Sequence, residues 1–213
     1  EFGRLPFDPG VVRAAGAAAI CAVNEEGHVE CLGSNKFGQL GFDEPDSALQ
    51  PVRLMFSGHA VDVAMEYDVT CLLMDDGSVQ CAGDNTYGQL GTPWSYERRP
   101  WFQKVPDLPP VDRIEIGSAG TVVCGLTGGE LWCWGSNTFT AFAPEDGRLG
   151  ATKVEPYDDI VDFSVGSGFL CILRETGDVL CRGWVGSNGR CEPGDDFEWG
   201  PVSFEYCDGF AYE

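Results

Sequence analysis

The chain has 213 residues, enough for one compact domain or two small ones, and its 34 acidic residues exceed its 13 basic ones by 21. That balance argues against nucleic acid as a partner and against docking on an anionic membrane surface, because both depend on Lys and Arg. A hydrophobic content of 43% with 12% aromatics disfavours disorder, and no apolar run approaches the ~20 residues that span a bilayer, so no membrane insertion is expected.

A first strand is predicted over Val11 to Gly16, ahead of a unit that runs from Cys21 to Cys31 and on through Gly33, Asn35, Gly38, Gln39, Leu40 and Gly41. A second strand, Ala60 to Ala64, precedes Cys71, Cys81, Gly83, Asn85, Gly88, Gln89, Leu90 and Gly91. The third copy follows Val111 to Gly117 with Cys124, Cys133, Trp134, Gly135 and Asn137, and the fourth follows Ile160 to Gly166 with Cys171, Cys181 and Gly183. The leading cysteines stand 50, 53 and 47 residues apart. Short apolar or alternating runs broken by glycine turns, with no sustained helical periodicity, predict an all-β chain. A unit of this length with three or four strands fits one propeller blade. The predicted architecture is a β-propeller or propeller fragment with units at about 11–59, 60–110, 111–159 and 160–213. The terminal segments around Phe2 to Pro6 and Pro201 to Gly209 suggest a partial fifth unit.

Ten cysteines, an even number, point to disulfides and hence to an oxidising, secreted setting. Metal ligation is disfavoured: there is no C-x-x-C, and the two histidines, His28 and His59, lack ligand spacing. Turn geometry assigns four pairs. Cys21 and Cys31 flank a three-residue loop, Glu25-Glu26-Gly27, and Cys71–Cys81 and Cys171–Cys181 repeat the arrangement. Cys124–Cys133 is one residue closer and has the two-residue Gly128-Gly129 turn, so the shorter spacing and shorter turn compensate. All four pairs are expected at non-hydrogen-bonded positions, where opposing Cα atoms lie about 4.5 Å apart. Cys191 and Cys207 are paired by elimination. Because the first residue is Glu1, an export signal is expected to have been removed or to lie outside this sequence.

The leading strand ending in Gly, the x-D/E-G turn, W-G-x-N and G-Q-L-G together resemble the regulator of chromosome condensation repeat family, whose members form β-propellers. The resemblance runs from about Val11 to Trp199 and is strongest in units one and two. Unit three keeps Trp134, Gly135 and Asn137 but replaces the second half before Arg148-Leu149-Gly150; unit four is the most divergent. Family propellers commonly have about seven blades, against four clear units here. A small closed ring, a piece of a larger propeller and assembly from two chains are all compatible with the sequence. The nuclear members' exchange-factor role toward a small GTPase is not expected to carry over to a disulfide-stapled chain. Secreted bacterial proteins of this fold, including an inhibitor that presents propeller loops to a β-lactamase, are the nearer analogy.

No G-x-S-x-G, phosphate loop or dinucleotide fingerprint is present, and no catalytic, cofactor-binding or metal residues are expected. The acidic loops Asp43-Glu44-Pro45-Asp46, Asp158-Asp159 and Asp195-Asp196-Phe197-Glu198 fit no calcium pattern and read as solvated turns. Asn35, Asn85 and Asn137 read as turn residues that bond local backbone. The strongest recognition candidate is the connection between units two and three, with Trp94, Tyr96, Arg98, Arg99, Trp101 and Phe102, because aromatics and Arg dominate binding hot spots. Trp101 or Phe102 could equally serve as core. The Phe139 to Phe142 stretch, with Phe139 and Phe142, is the second candidate. The expectation is a secreted, non-enzymatic module that engages a protein or glycan through blade loops. The alternatives are self-assembly as a structural subunit of a fibre, sheath or surface layer, and propeller-type enzyme inhibition.

Overall fold

The structure is a computed structural model that describes residues 5–117, 120–137, 141–143, 147–166, 168–183 and 200–201. Four antiparallel four-stranded sheets follow one another along the chain. Blade one comprises β1 (Val11–Gly16), β2 (Ala19–Asn24), β3 (Val29–Ser34) and β4 (Ser47–Arg53). Blade two comprises β5 (Ala60–Glu66), β6 (Val69–Met74), β7 (Val79–Asn85) and β8 (Ser95–Lys104). Blade three has β9 (Arg113–Ile116), β10 (Val122–Thr127), β11 (Glu130–Ser136) and β12 (Arg148–Lys153); blade four has β13 (Ile160–Val165), β14 (Phe169–Arg174), β15 (Val179–Gly183) and β16 (Gly200–Pro201). The first strands of the blades adjoin in the order β1, β5, β9, β13, as the innermost strands of a propeller do.

The hairpins bear out the four predicted disulfides. Cys21 faces Cys31, Cys71 faces Cys81, Cys124 faces Cys133 and Cys171 faces Cys181 in register, and their Cα atoms are 4.1, 4.2, 4.1 and 4.1 Å apart. The shorter third hairpin turns through Gly128 and Gly129 at φ 53° and 86°, the left-handed conformation that a two-residue turn demands. The proposed Cys191–Cys207 pair lies outside the described residues.

The apolar core is divided among the joints between blades. At the first joint, Cys21, Val23, Val29, Cys31 and Leu40 of blade one pack on Met65, Leu72 and Met74 of blade two. Blade two repeats this with Cys71, Val79, Cys81 and Leu90 against Ile114, Val123 and Trp134, and blade three with Cys124, Leu131 and Cys133 against Phe163, Leu170 and Ile172. The glycine two residues after the second cysteine, inside the third strand of each blade, is obligatory. A Cβ on Gly83 would stand 2.1 Å from the Asp68 carbonyl oxygen, and one on Gly135 2.3 Å from that of Thr121.

Two of the recurring polar residues explain the loops between the third and fourth strands. Asn85 is fully buried; its Oδ1 accepts from the Leu90 N–H at 3.1 Å and its Nδ2 donates to Thr92 Oγ1 and the Pro93 carbonyl. Asn35 does the same with Leu40, Phe42 and Pro45, and Asn137 with Phe142 and Ala143. Each Asn therefore substitutes for backbone partners that the irregular loop cannot supply. Gln39 ties one blade to the next by donating from Nε2 to the Tyr67 carbonyl at 2.9 Å.

Candidate binding surface

The segment expected to be a connection, Thr92 to Phe102, is largely a strand: β8 is the outer strand of blade two and runs ten residues from Ser95. Pro100 fits there because an outer strand has one side free of ladder bonds. Register shifts against β7 between Cys81 and Gly83 and again between Gly83 and Asn85 mark bulges that re-aim its side chains.

Those side chains divide into two groups. Arg98 turns toward blade one, where it pairs with Asp43 at 2.8 Å, Asp46 at 3.3 Å and Glu44 at 3.4 Å and donates to the Lys36 carbonyl. The acidic loop that raised the question of calcium is thus paired with an arginine of the next blade, which offsets one of its three charges. Phe102 packs into the joint between blades one and two, edge-on to Phe56 with ring centroids 6.0 Å apart. Arg98 and Phe102 are therefore engaged within the fold, and the expectation that they form a free recognition surface is corrected. Phe142 is corrected likewise: at 1% exposure it lies in the joint between blades three and four. Phe139 lies outside the described residues. Trp101 is exposed and Arg99 partly buried, and among the described residues no ring contact or ion pair engages either.

The other group gathers at the loop end of blades two and three. Trp94 is 49% exposed and Tyr96 74%, and their rings meet edge to face at 5.4 Å. The Arg148 guanidinium of β12 lies 4.5 Å from the Trp94 ring centre and 5.7 Å from that of Tyr87. Tyr87 and Arg148 are the members that sequence reasoning missed. A signal for Tyr87 existed, since Phe37 occupies the same place in the first Asn-x-aromatic-Gly turn. The platform is held from below. Asn85 braces the loop, the Tyr87 N–H donates to Gln89 Oε1 at 2.8 Å, and buried Trp134 of blade three donates from Nε1 to the Gln89 carbonyl at 3.0 Å. Arg148 has no carboxylate within ion-pair distance among the described residues; its charge rests on the two ring faces.

Inward from this platform stands a pair of carboxyls. Asp84 is buried and holds the Thr86 hydroxyl at 2.7 Å and Gln89 Nε2 at 2.8 Å. Its neighbour Asp68, in the turn between β5 and β6, has a buried Oδ1 that finds no hydrogen-bond partner among the described residues. Burial, then the negative charge of Asp84, pushes the Asp68 carboxyl up from 3.8 to about 6. Among the described residues no group of three or more His, Cys, Asp or Glu is placed to hold a metal ion. The histidines are accounted for locally: the His59 ring covers Gly27 of the preceding blade, and His28 Nδ1 is 3.2 Å from Glu26.

Residues 61–89 match the family model of the Regulator of chromosome condensation (RCC1) repeat. No curated protein matches the chain. Among solved structures, human WBSCR16 superposes with a TM-score of 0.72 at 22% identity, over 85% of this chain and 50% of that one. Yeast RCC1 (Prp20), solved bound to Kap60, gives 0.72 at 19% identity over 84% and 45%. Prp20p from Saccharomyces cerevisiae, described with its binding properties to Gsp1p and histones, gives 0.69 at 23% over 87% and 46%. The chain spans about half the length of these proteins. It carries a regulator of chromosome condensation repeat and is built as a β-propeller of that kind.

Proposed function

We propose that the chain is a non-catalytic binding module of an oxidising, extracellular compartment, and that it captures a protein partner on the platform of Trp94, Tyr96, Tyr87 and Arg148. The observation that carries this reading is the arrangement of Trp94, Tyr96 and Arg148: three side chains of hot-spot type, Tyr96 edge to face with Trp94 and Arg148 over the Trp94 ring, all open to solvent. Their order before binding lowers the entropy lost on association. Kap60, Gsp1p and histones, with which the yeast neighbours are described, are proteins, which favours a protein over a glycan for this surface as well. Four disulfides in the described hairpins support the compartment, since such bonds persist where thiols are not kept reduced.

The test compares the wild type with the double variant Trp94→Ala/Tyr96→Ala as immobilised baits for extracellular proteins and for a glycan array. The expected result is a protein retained by the wild type and lost by the variant, with unchanged thermal melting. Equal retention, capture of glycans alone, or a large drop in melting temperature overturns the reading.

A further inference from the structure

We infer that the turn between β5 and β6, Tyr67-Asp68, is a proton-operated latch: with one proton on the Asp68/Asp84 carboxyl pair it is fastened by Gln39 and by the Asp84 amide, and ionisation of both carboxyls releases it. This goes beyond the binding platform and does not depend on what that surface captures. The same turn is fastened in the same way in three blades. The Ser34 N–H donates to the Ala18 carbonyl at 3.1 Å, Asp84 to Asp68 at 2.9 Å and Ser136 to Thr121 at 2.8 Å. Those bonds fix which residues correspond: Ala18, Asp68 and Thr121 hold one place, and Ser34, Asp84 and Ser136 the other. Blades one and three therefore form the turn with uncharged residues at both places, and blade two alone of these three puts a carboxyl at each. The turn itself does not require the pair, so its repulsion is an addition peculiar to blade two.

The two carboxyls are held unequally. Asp84, 8% exposed, accepts from the Thr86 N–H at 3.2 Å, the Thr86 hydroxyl at 2.7 Å and Gln89 Nε2 at 2.8 Å. Asp68 Oδ1 is buried under the turn of blade three, where a Cβ on Gly120 would stand 2.8 Å from it, and it finds no hydrogen-bond partner among the described residues. A protonated carboxyl suits that place. An ionised one is deprived of water and set beside a buried anion.

The surrounding elements offer little to offset that charge. β7 brings Asp84, and β5 ends on the partly buried Glu66, followed by Tyr67. The blade-one loop that supplies Gln39 carries Lys36, which is exposed. The turn sequence of blade three, Gly117-Ser118-Ala119-Gly120, has no ionisable side chain, and the loop after β7 contributes Thr86, Tyr87 and Gln89. The charge that acts on Asp68 is that of Asp84, which adds to burial in raising the carboxyl to about 6. The proton is thus held in acid and lost toward neutral pH. Because three hydrogen bonds tie Asp84 down, relief comes through movement of Asp68. Its turn is held by two backbone acceptors, the Tyr67 carbonyl with Gln39 Nε2 at 2.9 Å and the Asp68 carbonyl with the Asp84 N–H at 2.9 Å. Tyr67 is 63% exposed, so release changes how an aromatic ring is presented to solvent.

Amide hydrogen exchange followed by NMR at pH 5 and pH 8, expressed at each pH as protection relative to the unfolded chain, tests this. The Asp84 amide is expected to lose roughly tenfold of its protection or more at pH 8, the factor of about one pKa unit. The Ser34 and Ser136 amides, which make the same bond in blades without the carboxyl pair, are expected to keep theirs. Asp68→Asn should give the Asp84 amide equal protection at both values. Asp68→Ala, which introduces the residue that blade one has at this place, serves the same purpose should the Asn variant fail to fold. Equal protection of the Asp84 amide at pH 5 and pH 8 in the wild type, a parallel loss at Ser34 and Ser136, or a loss that persists in the Asp68 variants each overturns the proposal.

Discussion

The two halves of β8 carry similar residues and meet different fates. In the half around Arg98, Pro100 and Phe102, these three side chains have answering groups on blade one: three carboxylates for the guanidinium, and Gly38 and Gly41 lying against Pro100 and Phe102, while Trp101 stays exposed. At the other end, around Tyr96 and the Trp94 that precedes the strand, the aromatic rings and Arg148 answer only one another, and the assembly remains open to solvent. The difference lies in how much apolar area is already removed from water: Phe102 is packed into a joint, whereas Trp94 and Tyr96 and, in the first half, Trp101 retain area that a partner can bury.

Removing one ring from each half breaks the comparison most sharply. Phe102→Ala is expected to cost about 2 to 3 kcal/mol, somewhat less than the roughly 3–5 kcal/mol of a fully buried Phe, because the ring is partly exposed. Trp94→Ala is expected to change stability by under about 0.5 kcal/mol. Urea unfolding monitored by fluorescence and circular dichroism measures both. Similar losses for the two variants would show that Trp94 belongs to the packed half.

A smaller effect separates the platform from the carboxyls beneath it. Asp68 has a folded-state value of about 6 against 3.8, so the folded chain holds its proton more tightly than the unfolded chain does. Its favourable contribution is complete below pH 3.8 and is lost as the pH rises through 6. Asp68→Asn should therefore raise the melting temperature at pH 8, by roughly 2–5 °C once the partial exposure of the carboxyl is allowed for. At pH 4 it should leave the melting temperature nearly unchanged. A rise of equal size at both values would assign the effect to the removed hydrogen-bonding capacity rather than to charge.

The blades are legible in sequence because their constraints are local. A cysteine pair about a glycine turn dictates its own register, and an Asn followed by Gly-x-Leu-Gly closes its own loop. What joins distant repeats is not legible. Pro93 and Pro100 make β8 read as a connection, and only the fold shows that Pro100 stands in an outer strand. Arg148 lies more than fifty residues from Trp94 and Tyr87, and no periodicity announces that it covers their rings. The raised Asp68 carboxyl has the same origin, since burial and Asp84 arrive only with the folded hairpins.

The smallest expected effect lies at Arg98, where desolvation, the largest single influence, pulls the guanidinium down and Asp46, Asp43 and Glu44 together hold it above its usual value. Each of those carboxylates is well exposed, with side-chain exposures of 71% for Asp43, 73% for Glu44 and 64% for Asp46. Salt therefore screens the attraction, and any stabilisation from the cluster should fade as ionic strength rises. In a chain carrying 21 excess negative charges, removing a cation also adds repulsion among the acids that remain. Arg98→Ala should thus lower the melting temperature slightly in dilute buffer and match the wild type near 1 M salt, where the Debye length is about 3 Å. A loss that persists at high salt would mean that the arginine stem and its bond to the Lys36 carbonyl hold blade one to blade two. The packed half of β8 would then rest on shape, with charge contributing little.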